Sequence, residues 1–148
     1  MLTYREKIAI LLRSRKKFKN WYLYPLIYLN IIKRDFVTFK TNSGLKIKIR
    51  VKSTDLMQLS TIWLAREYEA TGFEIKENDT IIDVGGHIGL FMLFCEQFCR
   101  KGKIYCFEPE LDNYRIFSDN IKLNNLENVH SFNMAISKQN GSIPLYLN

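Results

Sequence analysis

Apolar and polar positions follow different rhythms in successive parts of the chain. From Tyr4 to Lys19, Ile8, Leu11 and Leu12 stand at helical spacing, and Arg13, Arg15, Lys16, Lys17 and Lys19 follow as a charge run, which predicts a basic helix. Trp21 to Ile32 is aromatic and aliphatic between Lys19 and Lys33. The rhythm then becomes two. Val37–Thr41 and Leu45–Val51 alternate and are joined by Asn42-Ser43-Gly44, so they predict a hairpin with one apolar and one basic face. Ser53 or Thr54 can cap a helix running to about Ala70, with Leu56, Leu59, Trp63 and Leu64 on its stripe and Gly72 at its end.

From Thr80 the order is strand, glycine turn, helix, strand, helix, strand. Thr80–Val84 is a short apolar strand and Gly85-Gly86-His87-Ile88-Gly89 the turn. Leu90–Phe98 is apolar almost all round, as in a helix pressed on a sheet. Lys103–Phe107 predicts a second strand and Glu110 to about Asn124 a second helix with Leu111, Tyr114, Phe117 and Ile121 on one face. Val129–Ile136 follows as a third strand and Ile143–Leu147 as a last one. Alternation of this kind predicts a doubly wound parallel sheet in an α/β, Rossmann-like three-layer αβα fold. Three segments are expected: a basic, aromatic arm over 1–35, a hairpin-plus-helix lead-in over 36–79, and the half domain over 80–148.

The composition, 47% hydrophobic and 25% charged, excludes disorder and low complexity. No apolar run reaches the roughly 18 to 20 residues that cross a bilayer. Cys95, Cys99 and Cys106, with no signal-peptide layout before Lys19, point to a reducing compartment and a cytoplasmic location. The net charge of +7 conceals an asymmetry. Met1 to Lys52 holds 14 Lys/Arg and 2 Asp/Glu, and Ser53 to Asn148 holds 8 and 13, giving +12 and −5. A basic arm on an acidic body seeks phosphate, anionic lipid or an acidic partner. Trp21, Tyr22, Tyr24 and Tyr28 suit headgroup depth, so peripheral membrane contact through the arm stands beside simple packing of that segment on the body. The basic face of Lys46, Lys48 and Arg50 is read as a guard against edge pairing, and nucleic acid is not expected as a partner.

The chemistry lies at the first glycine turn, because ligands of open α/β sheets bind outside the carboxyl ends of the strands. Glu108 comes 23 residues after Gly85, at the end of the second strand. There its carboxylate can accept both hydroxyls of a ribose lying along the turn. The dinucleotide fingerprint fails, since the positions two and five after Gly85 hold His87 and Leu90. Asp83 would repel a pyrophosphate but can hold the ammonium end of S-adenosylmethionine. The carboxylate of that ligand suits the start of the following helix, Gly85 and Gly86 allow close backbone approach, and Gly89 allows tight packing.

These residues resemble a known family. Asp83-Val84-Gly85-Gly86-His87-Ile88-Gly89, Phe107-Glu108-Pro109, Asn120, Leu123-Asn124-Asn125 and Asn133-Met134-Ala135-Ile136-Ser137 ahead of Gly141 are similar to class I S-adenosylmethionine-dependent methyltransferases of the FkbM type. The lead-in, with a helix ending at Glu67-Tyr68, is similar too, but less specifically. The resemblance implies that Asp83, Gly85, Gly86 and Gly89 line the methionine portion and that Glu108 binds the ribose, with His87 and Pro109 also among the cofactor-binding residues. Met134 and Ala135 would lie at the adenine, recognised through the backbone. It also implies methyl transfer to an oxygen of a sugar or a related small-molecule or lipid-linked acceptor. Gly86 stands where the family usually has Ala, and His87 where it has Asn. The family's domains continue into further strands that complete the sheet and the acceptor site, so a missing C-terminal half or a homo-oligomeric partner is implied.

Other readings of the same residues stay open at this level. His87 is read as a turn residue rather than a general base, and His130 as structural, so no catalytic residue is assigned. The cysteines are read as small buried hydrophobes, not as metal ligands. A nicotinamide oxidoreductase shares the turn and Glu108, and a non-catalytic module using its arm on RNA or anionic membrane shares everything but turnover.

Overall fold

The computed structural model describes residues 4–65, 74–139, 141, 142 and 144. The chain forms two compact units, Met1–Ile75 and Lys76–Asn148.

In the first unit, α1 spans Tyr4–Lys17 and ends in the basic turn Arg15-Lys16-Lys17. The aromatic segment is helical only over α2, Leu23–Tyr28. Pro25 lies in its first turn, where a missing amide costs nothing, and Asn30, at φ 55°, ends it in the left-handed region. Strands β1, Phe36–Lys40, and β2, Lys46–Arg50, form the antiparallel hairpin in the register Phe39↔Ile47. Val37, Phe39, Ile47 and Ile49 are buried on one face, as the alternation requires. Asn20 ties the end of α1 to this hairpin: its side-chain amide donates to Thr38 O at 2.9 Å and its carbonyl accepts from Lys40 N at 2.8 Å.

Helix α3, Asp55–Leu59, does not run on as an α-helix. It widens into a π-helical segment, Ser60–Leu64, closed by Ala65 N donating to Ser60 O at 2.8 Å. The Ser60 hydroxyl donates back to Leu56 O, and the buried Tyr24 hydroxyl donates to Ser60 Oγ at 2.7 Å. This insertion of polar groups accompanies the widening that period counting did not foresee. The expected continuation to Ala70 and the stop at Gly72 lie outside the described residues. At the start of α3, Thr54 makes no side-chain cap, and Ser53 Oγ accepts from Asp55 N at 3.1 Å instead. Trp63, Phe18 and Phe39 meet at the centre, with ring centroids 6.1 and 5.0 Å from Phe18.

The second unit carries β3 Thr80–Val84, α4 Leu90–Glu96, β4 Lys103–Phe107, α5 Leu111–Asn124 and β5 Val129–Phe132. Its sheet is parallel with the order β3-β4-β5, in the register Asp83↔Cys106↔Ser131. This is the α/β, Rossmann-like arrangement, and β3 is an edge strand among the described residues. Ile88, Leu93, Cys95, Ile104, Cys106 and Phe117 form the core. The opposite register positions carry the stacked pairs Tyr105–His130 and Phe107–Phe132, and Ile82 and Val84 on that face are well exposed.

Three boundaries differ from expectation. Helix α4 ends at Glu96 rather than Phe98. Glu110 is the N-cap of α5, its carboxylate accepting from the amides of Asp112 and Asn113. Strand β5 stops at Phe132, not Ile136, because Asn133 turns its amide back to donate to Glu108 O at 2.8 Å and Pro109 O at 3.1 Å. The expected last strand, Ile143–Leu147, falls almost wholly outside the described residues.

One ion pair anchors the first unit. Asp55 is fully buried and accepts from Arg50 through its backbone N, Nε and Nη2 at 2.9, 3.0 and 2.9 Å. Removing one partner of a buried pair leaves the other uncompensated. Asp55→Ala is expected to cost about 3 kcal/mol. Urea denaturation followed by tryptophan fluorescence reads this directly, since Trp21 and Trp63 both lie in this unit.

Candidate cofactor-binding site

The site grows from the carboxyl end of β3. Gly85 N and Gly86 N both donate to Phe107 O, at 2.8 and 3.0 Å, so the turn folds over the end of β4. To make that fold, the backbone takes positive φ at Gly85 (80°), His87 (51°) and Gly89 (83°). His87 is a turn residue, as its position suggested, and its backbone amide donates to the neighbouring carboxylate.

That carboxylate is Glu108, which is buried. Its Oε2 accepts from His87 N at 2.7 Å and its Oε1 from Glu110 N at 2.9 Å. One side chain thereby joins the glycine turn, the end of β4 and the entry to α5. Each carboxylate oxygen has a second acceptor position, so this bridging role and a ribose-binding role are compatible.

Asp83 lies beneath the turn. Its Oδ2 is buried and has no hydrogen-bond partner among the described residues. Burial first, and then the negative charge of Glu108, push its carboxyl up to about 6. The same burial pushes the thiol of Cys95 up to about 12 and raises Cys106, with the charge of Asp83 adding to both. All three cysteines are buried free thiols, and Cys99 donates to Asp79 O at 3.0 Å.

The structure brings Asp83, Gly85, Gly86, His87, Gly89, Glu108 and Pro109 together at one strand end. Met134 and Ala135 are drawn towards it only through Asn133; they lie in a loop beyond β5, not on the strand, and Met134 is half exposed. Two residues given no separate role by the sequence hold this site from behind. Asn120 is fully buried in α5 and donates to Ile88 O at 2.9 Å. Phe117 packs so close that a Cβ at Gly86 would lie 2.9 Å from its ring and 3.2 Å from Asp83 Oδ2. The signal for Asn120 was a polar residue on the apolar side of a helix. Phe117 could not have been linked to Gly86 without the fold.

Comparison with known proteins places this geometry in context. The model of the TRM5/TYW2 methyltransferase domain matches residues 38–141. Methyltransferase sdnD of Sordaria araneosa is 35% identical over 72 residues, which are 48% of this chain and 28% of that protein. Methyltransferase 1 of Beauveria bassiana is 26% identical over 84 residues, 57% of this chain and 33% of that protein. The chain therefore spans about a third of the curated relatives it matches. Among solved structures, TYW2 of M. jannaschii in complex with AdoMet aligns with a TM-score of 0.48 and 22% identity, over 68% of this chain and 43% of that one.

Two outcomes test this geometry. The raised carboxyl of Asp83 means that the folded state holds its proton to a higher pH than the unfolded chain, so stability falls as pH rises from about 4 to about 6. Asp83→Asn is expected to remove that fall and to stabilise the second unit above pH 6 by up to about 3 kcal/mol, read by amide hydrogen exchange across Thr80–Val84. Gly86→Ala is expected to cost about 1 to 3 kcal/mol by overpacking against Phe117. In thermal unfolding monitored by circular dichroism, adding Phe117→Leu to Gly86→Ala should cost less than the two single changes together.

Proposed function

The chain belongs to the TRM5/TYW2 methyltransferase domain family, and from that premise we propose that the turn at Asp83–Gly89 and Glu108 form its cofactor site and that the acceptor is a small molecule. The domain is S-adenosylmethionine-dependent, which sets aside the nicotinamide reading. S-adenosylmethionine, when bound, supplies an activated methyl group and its own leaving group.

The observation that carries the site assignment is the buried, unpartnered Oδ2 of Asp83 beneath the glycine turn. A buried carboxylate oxygen with no donor is costly, and a cationic ligand end removes that cost. Asp83 accordingly holds the ammonium end, and Glu108 accepts the ribose hydroxyls while keeping its two backbone amides. Gly85 and Gly86 admit the ligand close to the main chain, and the backbone at Met134 and Ala135 meets the adenine. Methyl transfer depends chiefly on holding nucleophile and methyl in line, so these residues act by orienting rather than by moving a proton.

The acceptor reading, an oxygen of a sugar or a related small-molecule or lipid-linked compound, is supported by the FkbM-like residues around Phe107-Glu108-Pro109 and Asn133-Met134-Ala135. The whole protein's substrate belongs to this proposal as well, because the chain spans only part of its relatives.

Calorimetric titration with S-adenosylmethionine, S-adenosylhomocysteine and NAD tests the site. The first two are expected to bind, and Glu108→Ala to weaken them by about 1.5 kcal/mol or more. Affinity should fall as pH drops through about 6, since the protonated Asp83 no longer attracts a cation, and Asp83→Asn should abolish that dependence. Binding unchanged in both variants would overturn the site. Methyl incorporation into RNA but not into sugars would overturn the acceptor reading and leave the cofactor site intact.

A further inference from the structure

We propose that the first unit docks on an anionic membrane surface through the faces of α1 and α2, with aliphatic side chains entering the headgroup region and the basic turn of α1 held on lipid phosphate. Ile8 and Leu12 lie one turn apart on α1 and are both exposed, at 42% and 58%. Arg15 and Lys16 continue that exposed row in the last turn. Tyr28, Leu29 and Ile31, at the end of α2 and just beyond it, are more than half exposed as well. An apolar groove of about 210 Å³, lined by Ile8, Leu11, Tyr24, Pro25 and Leu29, joins the two helices into one surface.

Water-exposed aliphatic residues concentrated on one surface mark a binding face. The charge around this one selects the occupant. Residues 1–52 carry +12, Lys33 and Arg34 follow Ile31 and Ile32, and the guanidinium of Arg15 lies 5.8 Å from the centre of the Trp21 ring. Cations at the rim of an aliphatic and aromatic patch match the layered chemistry of an anionic bilayer, with phosphate outside and hydrocarbon within. An RNA backbone would engage the cations and leave Ile8, Leu12, Leu29 and Ile31 in water. An acidic protein would satisfy the charge but would leave the aliphatic centre of the patch without a matching apolar layer. No helix among the described residues is long and apolar enough to cross a membrane, so the contact is peripheral.

The test is sedimentation of the full 148-residue chain with vesicles of phosphatidylcholine alone, and of equal parts phosphatidylcholine and phosphatidylserine. Binding is expected to the mixed vesicles only. Arg15→Gln with Lys16→Gln should weaken it by about thirtyfold, and Leu12→Ser with Leu29→Ser by about tenfold or more. All four positions are exposed, so circular dichroism should show the fold intact in both variants. No binding to the mixed vesicles would overturn the proposal. So would binding indifferent to Leu12→Ser with Leu29→Ser, which would make the contact purely ionic. Saturable binding of transfer RNA without vesicle binding would assign the surface to nucleic acid, and dimerisation lost in the Leu12→Ser, Leu29→Ser variant would assign it to a second copy of the chain.

Discussion

The second unit is organised around the Glu108 carboxylate. By accepting from His87 N at 2.7 Å and Glu110 N at 2.9 Å, it holds the glycine turn, the end of β4 and the start of α5 in one arrangement. Hydrogen bonds to a charged acceptor are stronger than neutral ones, and burial strengthens them further. Other contacts depend on that geometry. The Phe107 carbonyl receives the amides of Gly85 and Gly86, Asn133 folds back onto the carbonyls of Glu108 and Pro109, and the Glu110 side chain is left to cap α5. The residue expected to bind a ribose is thus also the residue that builds the turn.

Asp83 is the counterpart of that stability. Its carboxylate is confined between the turn, the Cys95 and Cys106 thiols and the Phe117 ring, close to a second negative charge, and one oxygen is left without a donor. Strain of this electrostatic kind is retained where function needs it. A cationic cofactor end would turn a destabilising group into a ligand. Glycine at position 86 follows from the same crowding: with Phe117 this close there is no room for the methyl group that the FkbM-like pattern usually carries at that position.

The two units solve different physical problems. The first buries an aromatic centre of Phe18, Phe39 and Trp63 and fixes it with the Arg50–Asp55 ion pair. Its surface keeps a surplus of positive charge and unburied aliphatic side chains. The second encloses a nearly uncharged core and brings the Asp83 and Glu108 carboxylates together at one strand end.

Local chemistry along the chain was enough to determine the succession of elements, the parallel βαβαβ order and the grouping of Asp83, the glycines and Glu108. Hydrophobic period, glycine spacing and strand-end carboxylates are local signals, and each is readable before the chain folds. The TRM5/TYW2 family match agrees with that pattern at the level of an S-adenosylmethionine-dependent methyltransferase, and it does not show the FkbM type. What only tertiary structure decided was where elements stop and which groups are spent on architecture. The π-helical widening at Ser60–Leu64 coincides with the hydroxyl of Tyr24, 36 positions away, bonding to Ser60. The early end of β5 depends on Asn133 reaching 25 residues back to Glu108. The bonding of Glu108 to the His87 amide, and the crowding of Gly86 by Phe117, are contacts between residues distant in the chain, and a distance of that kind exists only once the sheet has formed.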